Sequence, residues 1–80
     1  MLYRNEDAIE FTADIDGEDY EFTIAYAMAQ EMDHLGRNMW IVDYWRVIKV
    51  NDKPNVLGDF WREQLNEEAV EDAIIEQEAE

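Results

Sequence analysis

Cysteine and serine are both missing from this chain of 80 residues. The first absence excludes a disulfide framework, a cysteine zinc site and a thiol nucleophile. The second leaves two threonines, Thr12 and Thr23, and a single histidine, His34, as material for nucleophile–base catalysis. That is too little to build a triad, and a non-catalytic protein is expected. Basic residues are also scarce. Six Lys and Arg stand against 21 Asp and Glu, for a formal net charge of −15. Affinity for phosphate comes from Lys and Arg, so direct binding to nucleic acid is excluded. No apolar run approaches the roughly 18 residues that a membrane helix requires, and no signal-peptide pattern opens the sequence. A soluble, cytoplasmic protein is therefore expected, with residues 1–80 as a single domain.

High net charge is a mark of disorder, but the remaining composition opposes it. Hydrophobic residues make up 48% of the chain, ordinary for a globular domain, and there are only three glycines and one proline. The charge is unevenly spread. Residues 1–22 hold eight acids (Glu6, Asp7, Glu10, Asp14, Asp16, Glu18, Asp19, Glu21) and one base, Arg4. Residues 23–58 are balanced, with four of each sign. Residues 59–80 hold nine acids (Asp59, Glu63, Glu67, Glu68, Glu71, Asp72, Glu76, Glu78, Glu80) and one base, Arg62.

Residues 8–24 read as a β-hairpin. Ile9, Phe11, Ala13 and Ile15 alternate with polar residues, and so do Tyr20, Phe22 and Ile24. Asp16-Gly17 lies between them, a dipeptide suited to a two-residue turn with positive φ at both positions. That turn sets the register. Ala13 faces Tyr20, Phe11 faces Phe22 and Ile9 faces Ile24, all on one side. The other side opposes Asp14 to Asp19, Thr12 to Glu21 and Glu10 to Thr23. Like charges directly opposite each other weaken a sheet. Residues 25–35 read as a helix, with Ala25, Met28, Ala29, Met32 and Leu35 on one stripe, Thr23 as N-cap and Gly36 as the C′ residue. His34 and Arg37 would then complement the negative end of the helix dipole.

Residues 39–50 carry the strongest strand signal, yet both of their faces are apolar. Either a bulge shifts the register or the outer face is a contact surface. Trp45 is a candidate partner-facing anchor there. The segment 51–55 is a turn. A helix starts at Asp59 and runs to Leu65, and a second begins with Asn66 as its N-cap, with Val70, Ala73, Ile74 and Gln77 on its buried face. The expected fold is α+β, in the order β-β-α-β-α-α. A three-stranded, mostly antiparallel sheet carries helices on one face.

Candidate metal motifs are weak. Asp14-x-Asp16-Gly17 resembles the opening of a calcium loop, but placing Gly17 at its sixth position puts Thr12 and Thr23 where acids are needed. Glu31-x-x-His34 is half of a di-iron carboxylate motif, and the chain has no second histidine to complete it. No cofactor or metal is expected. The acids themselves carry the functional signal. A net charge of −15 exceeds the magnitude of about 2–8 that keeps a small domain soluble. The candidate partner-binding residues are Glu10, Asp14, Asp16, Glu18, Asp19 and Glu21 on the hairpin, Trp45, and Glu67, Glu68, Glu71, Asp72 and Glu76 near the C-terminus.

This combination resembles the small acidic inhibitors of phages and mobile elements: DNA mimics, anti-restriction proteins and anti-CRISPR proteins. They are short, cysteine-poor and non-catalytic. Residues 9–50 are also similar to the ββαβ inhibitor of host RNA polymerase from T7-like phages, with Glu21-Phe22-Thr23-Ile24-Ala25-Tyr26 leading from strand into helix. No functional residue is carried across from either. The resemblance implies a viral inhibitor in the host cytoplasm, monomeric or dimeric. It would act through protein–protein contact with a basic host protein or nucleoprotein complex that handles nucleic acid, and not on a membrane. The rival expectation is a small assembly adaptor or homo-oligomer that uses the apolar strand 39–50.

Overall fold

A computed structural model describes residues 2, 3 and 6–79. Five strands come first: β1 (Leu2–Tyr3), β2 (Asp7–Ile15), β3 (Glu18–Met32), β4 (Asn38–Val50) and β5 (Lys53–Pro54). Two helices follow, α1 (Phe60–Gln64) and α2 (Glu67–Glu78). All strand pairings are antiparallel. β1 and β2 lie end to end along one edge of β3, β4 lies along the other, and β5 pairs with the end of β4.

The hairpin forms as its sequence dictates. Asp16 and Gly17 adopt φ of 54° and 85°, the left-handed pair that a two-residue turn requires. Ala13 faces Tyr20, Phe11 faces Phe22 and Ile9 faces Ile24. Asp14 Oδ1 accepts a hydrogen bond of 3.0 Å from the Gly17 amide, tying the turn to its first strand.

The expected helix over 25–35 is instead a strand, which overturns the β-β-α-β-α-α order and the three-stranded sheet. β3 continues without a break from the hairpin to Met32. Alanine, methionine, glutamine and glutamate favour helix locally. However, the period-two pattern that begins at Tyr20 and Phe22 carries on through Ile24, Tyr26 and Met28, all buried. Ala25, Ala27 and Ala29 fall on the other face. With partners on both edges, the segment gains two ladders of hydrogen bonds and burial of both faces, which outweighs a weak local propensity. Thr23 lies mid-strand rather than at a helix cap. Gly36, at φ 81°, turns the chain from β3 into β4.

Two bulges resolve the two-sided apolar character of β4. Its register against β3 shifts between Thr23 and Ile24 and again between Ala27 and Met28. Ile48 and Asp43 are the unpaired residues. Each bulge swaps the faces. Val42, Trp45, Val47 and Val50 thereby share the side of Met28, Tyr26, Ile24 and Phe22. Trp45 is 2% exposed and lies in the core.

The helices cover that side. Asn66 caps α2, accepting a 3.1 Å hydrogen bond from the Ala69 amide. Val70 and Ile74 are fully buried beneath the sheet with Leu65. Gln77, expected on the buried face, is exposed, and Glu78 takes its place by accepting a 2.6 Å hydrogen bond from the buried Tyr26 hydroxyl. Trp61 packs on Tyr20 and Phe22 with ring centroids 5.0 and 5.6 Å away. The Arg62 guanidinium lies 4.8 Å from the centre of the Trp45 ring, a cation–π contact.

Phe22 is completely buried, while Phe11, its partner across the hairpin, is only half-buried. Phe22→Ala should lower the unfolding free energy by about 3–5 kcal/mol, enough to unfold most of so small a domain. Phe11→Ala should cost clearly less, since the part of its ring already in water loses nothing. Urea denaturation followed by tryptophan fluorescence checks both; equal losses would contradict this core.

Candidate functional site

The helices leave the opposite face of the sheet open, and this face has two halves. At the hairpin end, Glu10 and Asp14 on β2 and Asp19 and Glu21 on β3 are all exposed on one side. Asp14 stands directly opposite Asp19. Alternate residues of a strand are about 6.7 Å apart and opposed residues about 5 Å, so these carboxylates form a short two-column ladder. Asp16 is exposed in the turn, whereas Glu18 lies opposite Ile15 on the helix side of the sheet, near Tyr20 and Trp61. The ion pairs among the described residues join Arg37 to Asp33, Arg46 to Glu6 and Arg62 to Glu67. None of them reaches the ladder.

The other half of the open face is built on alanine. Ala25, Ala27 and Ala29 are buried there although neither α1 nor α2 covers them. Arg46 and Tyr44 stand beside Ala25 and Ala27 on β4, while Glu6 leads into β2 on the far side of β3. Glu6 accepts hydrogen bonds from the Tyr44 hydroxyl at 2.8 Å and from Arg46 Nη2 at 2.9 Å. This bridge crosses over β3, and only a small side chain at positions 25 and 27 leaves room beneath it. The Arg46 hydrogen bond, and after it that of Tyr44, holds the Glu6 carboxyl below the usual glutamate range. The same contact with Glu6 raises both Arg46 and Tyr44.

Two further polar clusters are structural. Asp33 holds the β3–β4 turn by accepting from the amides of Leu35 and Arg37 and from Arg37 Nε. The Arg37 amide, first among these, lowers its pKa. Tyr20 donates a 2.9 Å hydrogen bond to Glu18, which raises the Tyr20 pKa.

The sequence-expected site residues are thus divided. Glu10, Asp14, Asp19 and Glu21 come together on the open face. Glu67, Glu68, Glu71, Asp72 and Glu76 lie on α2, on the other side of the sheet, so the two acidic sets do not form one surface. Trp45 is in the core and is not an outward anchor. Glu31 lies near the end of β3 and His34 sits in a turn, which removes the helical face that a di-iron motif needs. Among the described residues, no group of three or more acidic, histidine or cysteine side chains is placed to hold a metal ion, and no helix is long and apolar enough to cross a membrane. Sequence reading missed the Glu6–Tyr44–Arg46 bridge. The signal was the alternation of small Ala25, Ala27 and Ala29, which marks a strand face that something larger must cross.

Comparison with known protein families, curated proteins and solved structures finds no match to this chain. The segment Glu21–Tyr26, on which the likeness to the phage polymerase inhibitor rested, lies within the single strand β3 and does not lead into a helix.

The bridge makes a pH prediction. Because the folded Glu6 pKa is depressed, its contribution is present above the ordinary glutamate range and is lost as pH falls through the folded value. Glu6→Gln should therefore lower the melting temperature at neutral pH. The gap should close in acid, where wild-type Glu6 is itself protonated. Melting curves of both proteins between about pH 2 and 8 test this; a gap that does not change with pH would contradict it.

Proposed function

We propose that this protein is a non-catalytic acidic inhibitor that binds the basic surface of a nucleic-acid-handling protein and blocks access of nucleic acid to it. The hairpin ladder carries the reading. Glu10, Asp14, Asp19 and Glu21 are exposed together, Asp14 and Asp19 are directly opposed, and none belongs to an ion pair among the described residues. Opposed like charges weaken a hairpin, and the one structural use given to the four is the Asp14 hydrogen bond to the turn. A groove lined by Lys and Arg would turn that repulsion into attraction.

Glu18 faces the helix side and is not part of the proposed contact face, which comprises Glu10, Asp14, Asp19 and Glu21, with Asp16 at the turn beside them. Its carboxylates would stand where phosphates otherwise sit, and the rigid sheet fixes their spacing before contact. Ordering four exposed carboxylates in advance reduces the entropy lost on binding. A phage or mobile-element origin and action in the host cytoplasm accord with this chemistry.

Changing Glu10, Asp14, Asp19 and Glu21 together to Lys should leave the protein folded, at a cost of about 1 kcal/mol for the lost Asp14–Gly17 hydrogen bond, while abolishing partner binding. The partner, captured on the wild-type protein, should release bound DNA or RNA as the wild-type protein is added, measured by fluorescence anisotropy. Affinity should fall steeply between low salt and about 0.5 M. Undiminished affinity at high salt, or binding that survives the fourfold reversal, would refute the proposal.

A further inference from the structure

A second surface lies away from the hairpin, at the opposite end of the core layer. Met39, Trp40, Ile41 and Val42 of β4 line a groove of 320 Å³ whose other wall is Glu68, Glu71, Asp72 and Ile75 of α2. An adjoining hollow of 250 Å³ shares Trp40 and Ile75 and continues to Met28 and Glu78. Successive strand residues point to opposite faces, so four in a row line one groove only where it runs along the strand's edge. β5 meets β4 at Lys49 and Val50, at the far end of the strand.

The groove has an apolar floor and an acidic wall. Met39, Trp40 and Ile75 are 47%, 44% and 52% exposed, and Met32 and Leu35 nearby in sequence are more exposed still. Among the described residues, no basic side chain lines either hollow. Exposed large apolar side chains beside three carboxylates select a ligand that is apolar and cationic at once.

We infer that this groove binds a short, extended segment of a partner protein in which apolar and basic residues alternate. The apolar side chains rest on Met39 and Trp40 of the strand wall. The Lys or Arg side chains, pointing the other way along the segment, meet Glu68, Glu71 and Asp72. The strand-edge course of the groove suits an extended occupant, with side chains disposed in pockets at alternate positions. A second copy of the chain does not fit. It carries the same net −15 and would bring acids against this acidic wall. The inference is independent of the hairpin reading, because the two surfaces share no residue.

The probe is a capped peptide of about eight residues alternating lysine and valine, with a lysine–serine peptide of equal length as control. Both are titrated into ¹⁵N-labelled protein. The lysine–valine peptide should bind at least about tenfold more tightly than the control, with amide shifts concentrated at residues 39–42 and 68–79. Glu71→Lys combined with Asp72→Lys should weaken it about tenfold, as should Ile75→Lys. All three positions have side chains at least partly in water, so these variants should keep their fold. The fourfold hairpin reversal should leave peptide affinity unchanged. Equal affinity for the two peptides would overturn the inference. So would shifts centred on the hairpin, or self-association through residues 39–42 without peptide.

Discussion

Everything in this fold hangs on β3, a strand of fifteen residues buried along its middle on both faces. It pairs with β1 and β2 on one edge and β4 on the other, so every other strand except β5 is placed by it. Its two faces are built differently. One presents Phe22, Ile24, Tyr26 and Met28 to the helices. The other presents alanines along its middle, low enough for Glu6 to reach over them to Tyr44 and Arg46. A strand so fully enclosed tolerates few changes of size. That rigidity lets the ends of the sheet carry repulsive charge without the centre giving way.

The division of labour follows from this. The core side of the sheet is closed by Leu65, Val70, Ile74 and Trp61. The open side is closed only at its alanine half, by a hydrogen-bonded bridge, and is left acidic at its hairpin half. The acids of α2 are on a different side again, and there they border exposed Met39, Trp40 and Ile75 rather than the hairpin ladder. Two acidic regions that look equivalent in sequence therefore have different neighbours: one is polar throughout, the other is mixed with large apolar side chains.

The hairpin was legible because a single dipeptide, Asp16-Gly17, sets both the turn and the register, and the alternation on each side agrees with it. The break at Asn66 was legible for a similar reason, since a capping residue and an apolar pair coincide. Residues 25–32 were not, because their apolar positions satisfy the helical and the strand period together. What decides between them is pairing on both edges: with the long β4, which lies later in the sequence, and on the other edge with the end of β2 and the two residues of β1. The β4 bulges were legible only as a conflict between its two faces, without their positions. Trp45 was misplaced for that reason: a one-residue shift at Asp43 carries it from the outer face to the core. The acids were found readily by composition, but composition is blind to which of them share a side.

The central claim is that the hairpin acids, apart from the single Asp14 hydrogen bond to the turn, are held by the fold without contributing to it, and are therefore available for contact. Its most direct test is the unfolding free energy of the isolated protein in urea as sodium chloride rises from about 20 mM to 0.5 M, where screening shortens to a few ångströms. The account predicts that stability increases with salt, because screening relieves repulsion within a chain of net charge −15. It also predicts that the increase is much smaller once Glu10, Asp14, Asp19 and Glu21 are changed to Lys. A stability that falls with salt would contradict it, since the acids would then be engaged in attractive pairs that hold the fold together.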